Sequence, residues 1–112
     1  MSKARVQWET LNLIRKEKFD IILPVAMREN NVDMWIHRIR EGNPDPLALD
    51  LGGDKGYFIF TDRGEDRIER AVFNGYEDDL EELDCYDIFG QEEGLRDFVI
   101  KRDPKTIAIN MS

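Results

Sequence analysis

The stretch that decides the fold class is residues 57–73, which read YFIFTDRGEDRIERAVF. Two runs rich in β-branched and aromatic residues, 57–61 and 68–73, have the composition of strands. Six residues separate them, and five of these, 62–66, form a polar connection that includes Gly64, which can adopt a positive φ. The stretch therefore predicts an antiparallel hairpin.

A helix is predicted upstream of the hairpin. From Val6 to Asn30, apolar residues recur at the three- and four-residue spacing of one helix face. Proline lacks the amide donor and crowds the preceding turn, so we expect Pro24 to kink this segment or to divide it into two helices near Leu23. Asn30 and Asn31 are expected to end it.

Residues Met34–Ile39 are predicted to form a third strand. Met34 and Ile36 would lie on one face, and Trp35, His37 and Ile39 on the other. Because both faces carry apolar residues, this pattern is typical of a central strand.

After the turn-rich residues 41–46, the segment 47–51 is compatible with a short helical turn begun by Asp45-Pro46 or with a strand, and the pattern does not decide between them. The last part of the chain predicts alternating elements: helix 78–83, strand 86–89, helix 91–101 and strand 106–110. Strand, helix and strand in succession indicate a parallel crossover. The predicted class is α/β with a mixed sheet, an antiparallel hairpin followed by β-α-β, in a ribonuclease-H-like arrangement.

Charge excludes one class of partner. Sixteen Lys and Arg against 24 Asp and Glu give a net charge of −8, which repels a phosphate backbone, so nucleic acid is not expected to bind. Nine acidic residues lie between Glu77 and Glu93 without a Lys or Arg. We interpret them as a solvated acidic face, because they lack the pattern of a calcium loop.

Cysteine use and hydropathy predict the compartment. Cys85 is the single cysteine, and no segment resembles a secretion signal, so the expected location is the cytoplasm. The longest apolar runs fall far short of the roughly 20 residues of a membrane span, so no membrane contact is predicted.

Catalytic chemistry is sparse in this sequence. His37 and Cys85 are the single members of their types, and acidic neighbours would raise the pKa of the Cys85 thiol, which disfavours a nucleophile. One histidine and one cysteine do not make a structural zinc site. The glycine-rich residues 52–56 lack the order of a phosphate-binding loop. We predict no catalytic, cofactor-binding or metal-binding residue in this chain.

Charges of alternating sign surround the hairpin connection. Opposite charges facing each other across the two strands would help to set the register of the hairpin. Alternatively, Arg63, Arg67 or Arg70 could face a carboxylate on a partner domain or at a peptide end. The sequence leaves both interpretations open.

Several strings carry a family resemblance. The order of a helix, then 33-DMWI-36, then 40-REGNPDP-46, then 57-YFIFTDRG-64 resembles the creatinase/prolidase N-terminal domain. More closely, 27-MREN-30 followed by 32-VDMWI-36 resembles a bacterial subgroup of Xaa-Pro aminopeptidase-like peptidases. The likeness extends over nearly all of residues 1–112, which would form a single domain.

The resemblance implies a non-catalytic role for this chain in a two-domain metallopeptidase (hydrolase, aminopeptidase). The catalytic "pita-bread" domain, expected to follow this one, would hold two divalent ions (manganese, cobalt or zinc) through Asp, Asp, His, Glu and Glu. Those motifs do not occur here, and whether the N-terminal domain is complete at residue 112 stays open. The implied partners are the chain's own C-terminal catalytic domain, a second copy in a homodimer, and a proline-containing peptide.

Trp35, His37 and Arg63 are the candidate residues for a partner-facing or substrate-mouth surface, because they place bulky and cationic groups near strand ends. The alternative function is a stand-alone protein-binding or dimerisation module, with Trp8, Trp35 and Phe89 as apolar candidates. A free-standing enzyme is the weakest interpretation, because one His and one Cys supply few catalytic roles.

Overall fold

The hairpin predicted from the sequence forms the middle of a five-stranded mixed sheet in the computed structural model, which describes residues 3–111 and the side chains of residues 3–109. The strands are β1 (Met34–Ile39), β2 (Gly56–Thr61), β3 (Glu69–Phe73), β4 (Ile88–Gly90) and β5 (Ile107–Met111). Their order across the sheet is β4-β3-β2-β1-β5. The α/β class is therefore confirmed.

The sheet combines antiparallel and parallel pairs. β2 is antiparallel to both β1 and β3, while β4 runs parallel to β3 and β5 runs parallel to β1. The predicted strand-helix-strand unit at the end of the chain is present, but its two strands lie at opposite edges of the sheet. The connection between them, which contains α5, consequently crosses the sheet rather than linking neighbouring strands.

The helices are α1 (Lys3–Glu17), α2 (Leu23–Glu29), α3 (Ala48–Leu51), α4 (Glu77–Glu81) and α5 (Leu95–Arg102). A π-helical turn, Lys18–Ile22, joins α1 to α2, and a 3₁₀ turn, Glu92–Gly94, precedes α5. Within residues 3–111, no helix is both long enough and apolar enough to span a bilayer.

The predicted interruption near Pro24 takes the form of the π turn. Pro24 occupies the start of α2, where a missing amide costs little, and Leu23 donates its amide to the carbonyl of Lys18, five residues back. The helix ends where predicted, since Asn30 is its C-cap and Asn31 adopts a positive φ of 54°.

Alternate residues of the sheet build two apolar cores on opposite faces. One core contains Phe58, Phe60 and Val72 and is covered by the helices from α1 to α4. The other contains Met34, Ile59 and Ala71 and is covered by α5 through Phe98. As predicted, β1 is paired on both edges and contributes apolar side chains to both faces.

The structure decides the ambiguous segment 47–51 and corrects the predicted strand 86–89. Residues 48–51 are helical, because the carboxylate of Asp45 accepts the amide hydrogen of Leu47 at 2.8 Å and starts a turn there. Tyr86 was predicted to begin a strand, but that strand spans only Ile88–Gly90. The Tyr86 ring instead packs in the larger core, and its hydroxyl donates to the carbonyl of Leu51.

Candidate functional site

The candidate residues Trp35 and His37 lie together on the face of β1 that joins the larger core. The Trp35 ring stacks on Phe60, with centroids 5.0 Å apart, and lies 5.5 Å from the His37 ring. His37 Nε2 is 3.0 Å from a carboxylate oxygen of Asp45, and the two side chains are only 1% and 2% exposed. His37 therefore holds the 41–46 turn against β1 and does not reach the described surface, whereas Trp35 is half-buried.

Arg63, the third candidate, is exposed in the connection between β2 and β3. Its Nη1 lies 3.6 Å from a carboxylate oxygen of Glu69, at the start of β3. Arg67 pairs with Asp87 at 2.6 Å, and Arg70 pairs with Asp20. All three arginines around the hairpin thus have acidic partners within the chain, but none of these three ion pairs joins the two strands of the hairpin.

Arg70 is the least expected of these arginines. It is only 2% exposed, and its guanidinium lies over the Phe19 ring at 5.3 Å. A charged group at this depth is stabilised by its carboxylate partner and by the ring face. The sequence left open whether Arg70 pairs within the hairpin or faces a partner carboxylate, and neither interpretation predicted its burial.

Cys85 is a packed thiol inside the larger core. Burial raises the pKa of Cys85 to about 11, and the neighbouring carboxylate of Asp84 adds only a small part of that shift. The sequence predicted the direction of the pKa change, but assigned it to carboxylates rather than to burial. A protonated, buried thiol is a poor nucleophile.

A polar cluster that sequence reasoning missed fixes α1 to the rest of the fold. Arg15 donates to the carbonyls of Asp50 and Leu49, both at 3.0 Å, and to Asn12 Oδ1 at 2.9 Å. Asn12 in turn donates to the carbonyl of Leu83 at 2.9 Å. The signal in the sequence that could have revealed this cluster is the spacing of Asn12 and Arg15, which are three positions apart and so lie on the same side of α1.

The β5 edge of the sheet is not covered on the α5 side. Phe98 of α5 packs on Phe73, with centroids 4.9 Å apart, so α5 covers the β3 side of the sheet. On β5 the side chains of Ile107 and Ile109 remain exposed, the latter at 58%, whereas Met34 on the neighbouring β1 is fully buried. β5 is also the edge of the sheet, so its outer backbone groups have no strand partner among residues 3–111.

A groove lies on the opposite side of the sheet, between α1 and α3, and we call it the α1–α3 groove. It encloses about 460 Å³ where Trp8, Leu11, Leu49, Leu80 and Leu83 form its apolar wall. A second cavity of about 280 Å³ extends it along α1 and is lined by Leu11, Ile14 and Leu49. The two cavities therefore lie next to each other, with Leu11 and Leu49 lining both.

The charged groups at the rim of the α1–α3 groove differ in their pairing. Arg15 is fully engaged as described, and Lys55 lies 5.0 Å above the Tyr76 ring and 3.9 Å from a Glu41 carboxylate oxygen. Asp54 and Asp79 have no ion-pair partner among the described residues. The rim thus carries uncompensated negative charge.

Residues 3–111 bring together no set of three or more His, Cys, Asp or Glu side chains arranged to hold a metal ion. The acidic run from Glu77 onwards lies mostly exposed on and after α4. The described residues do not supply the two-metal centre that the resemblance assigns to a separate catalytic domain.

Comparison with known proteins identifies no relative. No family model matches the sequence, and neither a curated protein nor a solved structure matches it.

Proposed function

We propose that this chain is the non-catalytic N-terminal domain of a Xaa-Pro aminopeptidase-type metallopeptidase, with a creatinase-type, ribonuclease-H-like fold. It would border the active site of a following catalytic domain and support dimerisation. The chemistry of the intact protein would be hydrolysis of the bond before proline by a metal-activated water. The role of the present chain is to shape and restrict the entrance to that site.

The observation that carries this proposal is the uncovered β5 edge of the sheet. Exposed Ile107 and Ile109 sit beside an unpaired strand edge, and Ile100 of α5 is exposed as well. An apolar face next to a free edge is stabilised when another protein surface covers it. A catalytic domain, or the partner subunit, would supply that surface.

The first experiment compares the 112-residue chain with the protein from the full reading frame, using an Xaa-Pro peptide and added manganese or cobalt. We expect hydrolysis by the longer protein alone. Hydrolysis by the 112-residue chain would refute the proposal. If neither protein hydrolyses the peptide, a binding module or an inactive relative is favoured.

A matched pair of substitutions tests the covering surface. Ile109→Asp is expected to weaken dimerisation or domain association in the longer protein, because it places a charge in a buried contact. Ile21→Asp is the control, since Ile21 is 65% exposed on the opposite side of the sheet. Equal behaviour of the two variants would exclude the β1–β5 face as the contact.

Of the three candidates for the substrate-mouth surface, Trp35 and Arg63 remain, whereas His37 is buried. Because His37 is buried, Arg63→Ala and Trp35→Phe are the informative changes. Normal turnover and normal dimerisation in both variants of the longer protein would exclude this role for the two accessible residues.

The second candidate function is a stand-alone protein-binding or dimerisation module. The α1–α3 groove favours it, because an apolar groove without catalytic groups is suited to binding. Analytical ultracentrifugation of the 112-residue chain across a concentration range distinguishes a self-associating module from a monomer that binds a different protein.

A further inference from the structure

The α1–α3 groove carries an inference that does not depend on a metallopeptidase parent. Its walls are apolar, with Leu11 and Leu49 shared by both of its cavities and exposed to solvent. Large side chains left exposed along a groove are expected where a partner buries them. The groove has room for several side chains of another polypeptide.

The charges at the rim of the α1–α3 groove indicate which kind of segment could bind in it. Of the charged groups lining the larger cavity, the two cations are engaged within the fold, whereas Asp54 and Asp79 are not ion-paired among the described residues. α4, the helix that forms this wall, adds four further exposed carboxylates in and just after it, Glu77, Asp78, Glu81 and Glu82. An occupant with cationic side chains on the α4 side would be attracted, and one with acidic side chains repelled.

We propose that the α1–α3 groove binds an amphipathic basic segment of a partner protein. Its apolar side chains lie on Trp8, Leu11 and Leu49, and its Lys or Arg side chains face Asp79 and α4. This arrangement uses the helix-in-groove mode of recognition, in which apolar anchors recur along one side of the bound segment. A phosphate-rich partner is excluded by the same negative rim.

The test uses two short fluorescein-labelled helical peptides with identical leucine spacing, one with lysine and one with glutamate at the polar positions. Anisotropy titration of the 112-residue chain is expected to show saturable binding of the lysine peptide, weakened by salt, and no binding of the glutamate peptide. Equal binding of both peptides, or of neither, would overturn the proposal.

Matched substitutions separate groove binding from general attraction to an acidic protein. Leu49→Asp removes an apolar anchor and should weaken binding of the lysine peptide by about tenfold or more. Ile100→Asp should not weaken it, since Ile100 has a similar exposure, 60% against 67%, on the opposite side of the sheet. The same loss in both variants would show that binding is not located in the groove.

A second pair tests the rim. The double change Asp54→Asn and Asp79→Asn should weaken binding about fivefold, whereas Glu93→Gln with Asp97→Asn, an equal loss of charge near α5, should leave it within about twofold. Equal effects would overturn the assigned orientation. Self-association of the chain that is lost in Leu49→Asp would assign the groove to a second copy and would overturn the basic-segment proposal.

Discussion

Replacing Arg15 by Met should destabilise the fold by about 3 kcal/mol. The Arg15 guanidinium donates three hydrogen bonds, to two carbonyls from the α3 region and to Asn12, and it is almost fully buried. A net contribution of roughly 1 kcal/mol for each bond gives the estimate, because methionine fills the space without donating. Arg15→Lys should lose most of this stability as well, since one ammonium cannot reproduce the planar fork.

The assay is urea unfolding followed by circular dichroism. With an m-value of about 1.5 kcal/mol/M, the midpoint of Arg15→Met should fall by about 2 M. Arg5→Met is the control, because Arg5 lies on the same helix with an exposed partner, Glu9, and should change stability by less than about 1 kcal/mol. If Arg15→Met and Arg5→Met cost the same, the Arg15 cluster does not anchor α1.

Three further predictions concern the thiol, the pH dependence and one turn. Because burial raises the pKa of Cys85 to about 11, alkylation at pH 8 should be slow in the native chain and fast in urea; a fast native reaction would place the thiol at the surface. The hydrogen bond from Arg28 lowers the pKa of Asp62, so the charged pair stabilises the fold above the ordinary pKa of about 3.9, and that stability disappears as pH falls through the lowered value. Asp62→Asn should therefore unfold more easily than the parent at pH 7 in urea, and the difference should shrink as the pH falls through the lowered pKa of Asp62; a constant difference would contradict the linkage. Gly52→Ala should cost about 1 to 3 kcal/mol in the same assay, because φ is 86° and a Cβ would collide with the Leu83 side chain; an unchanged midpoint would mean that this turn relaxes freely.

The elements that were predicted correctly are those with a clear local pattern of apolar and turn-forming residues. β1 was predicted to its exact ends because apolar residues occupy both of its faces, and the hairpin was predicted because two strand-like runs flank a glycine-containing turn. Residues 47–51 were ambiguous because Leu47, Leu49 and Leu51 alternate like a strand. The carboxylate of Asp45, which starts a turn at Leu47, decided the outcome.

The buried polar residues were beyond the sequence pattern. Arg15 and Asn12 bond to groups 34 to 71 positions away, and Arg70 pairs with an aspartate 50 positions away. Helical periodicity predicts which side of a helix is buried, but it does not predict which distant carbonyl accepts a hydrogen bond from an arginine on that side. His37 was proposed for a surface on the same incomplete basis, since its partner Asp45 became evident only from the fold.

The position of β5 beside β1 has a consequence for synthesis on the ribosome. Asp33 and Thr106, which flank the start of this parallel pair, are hydrogen-bonded although they are 73 positions apart. Until β5 leaves the exit tunnel, β1 presents an open edge in the nascent chain, and the non-local pairing makes closure slow. Among the strand pairs that the structure describes, the one between β1 and β5 is therefore the last that can form during synthesis.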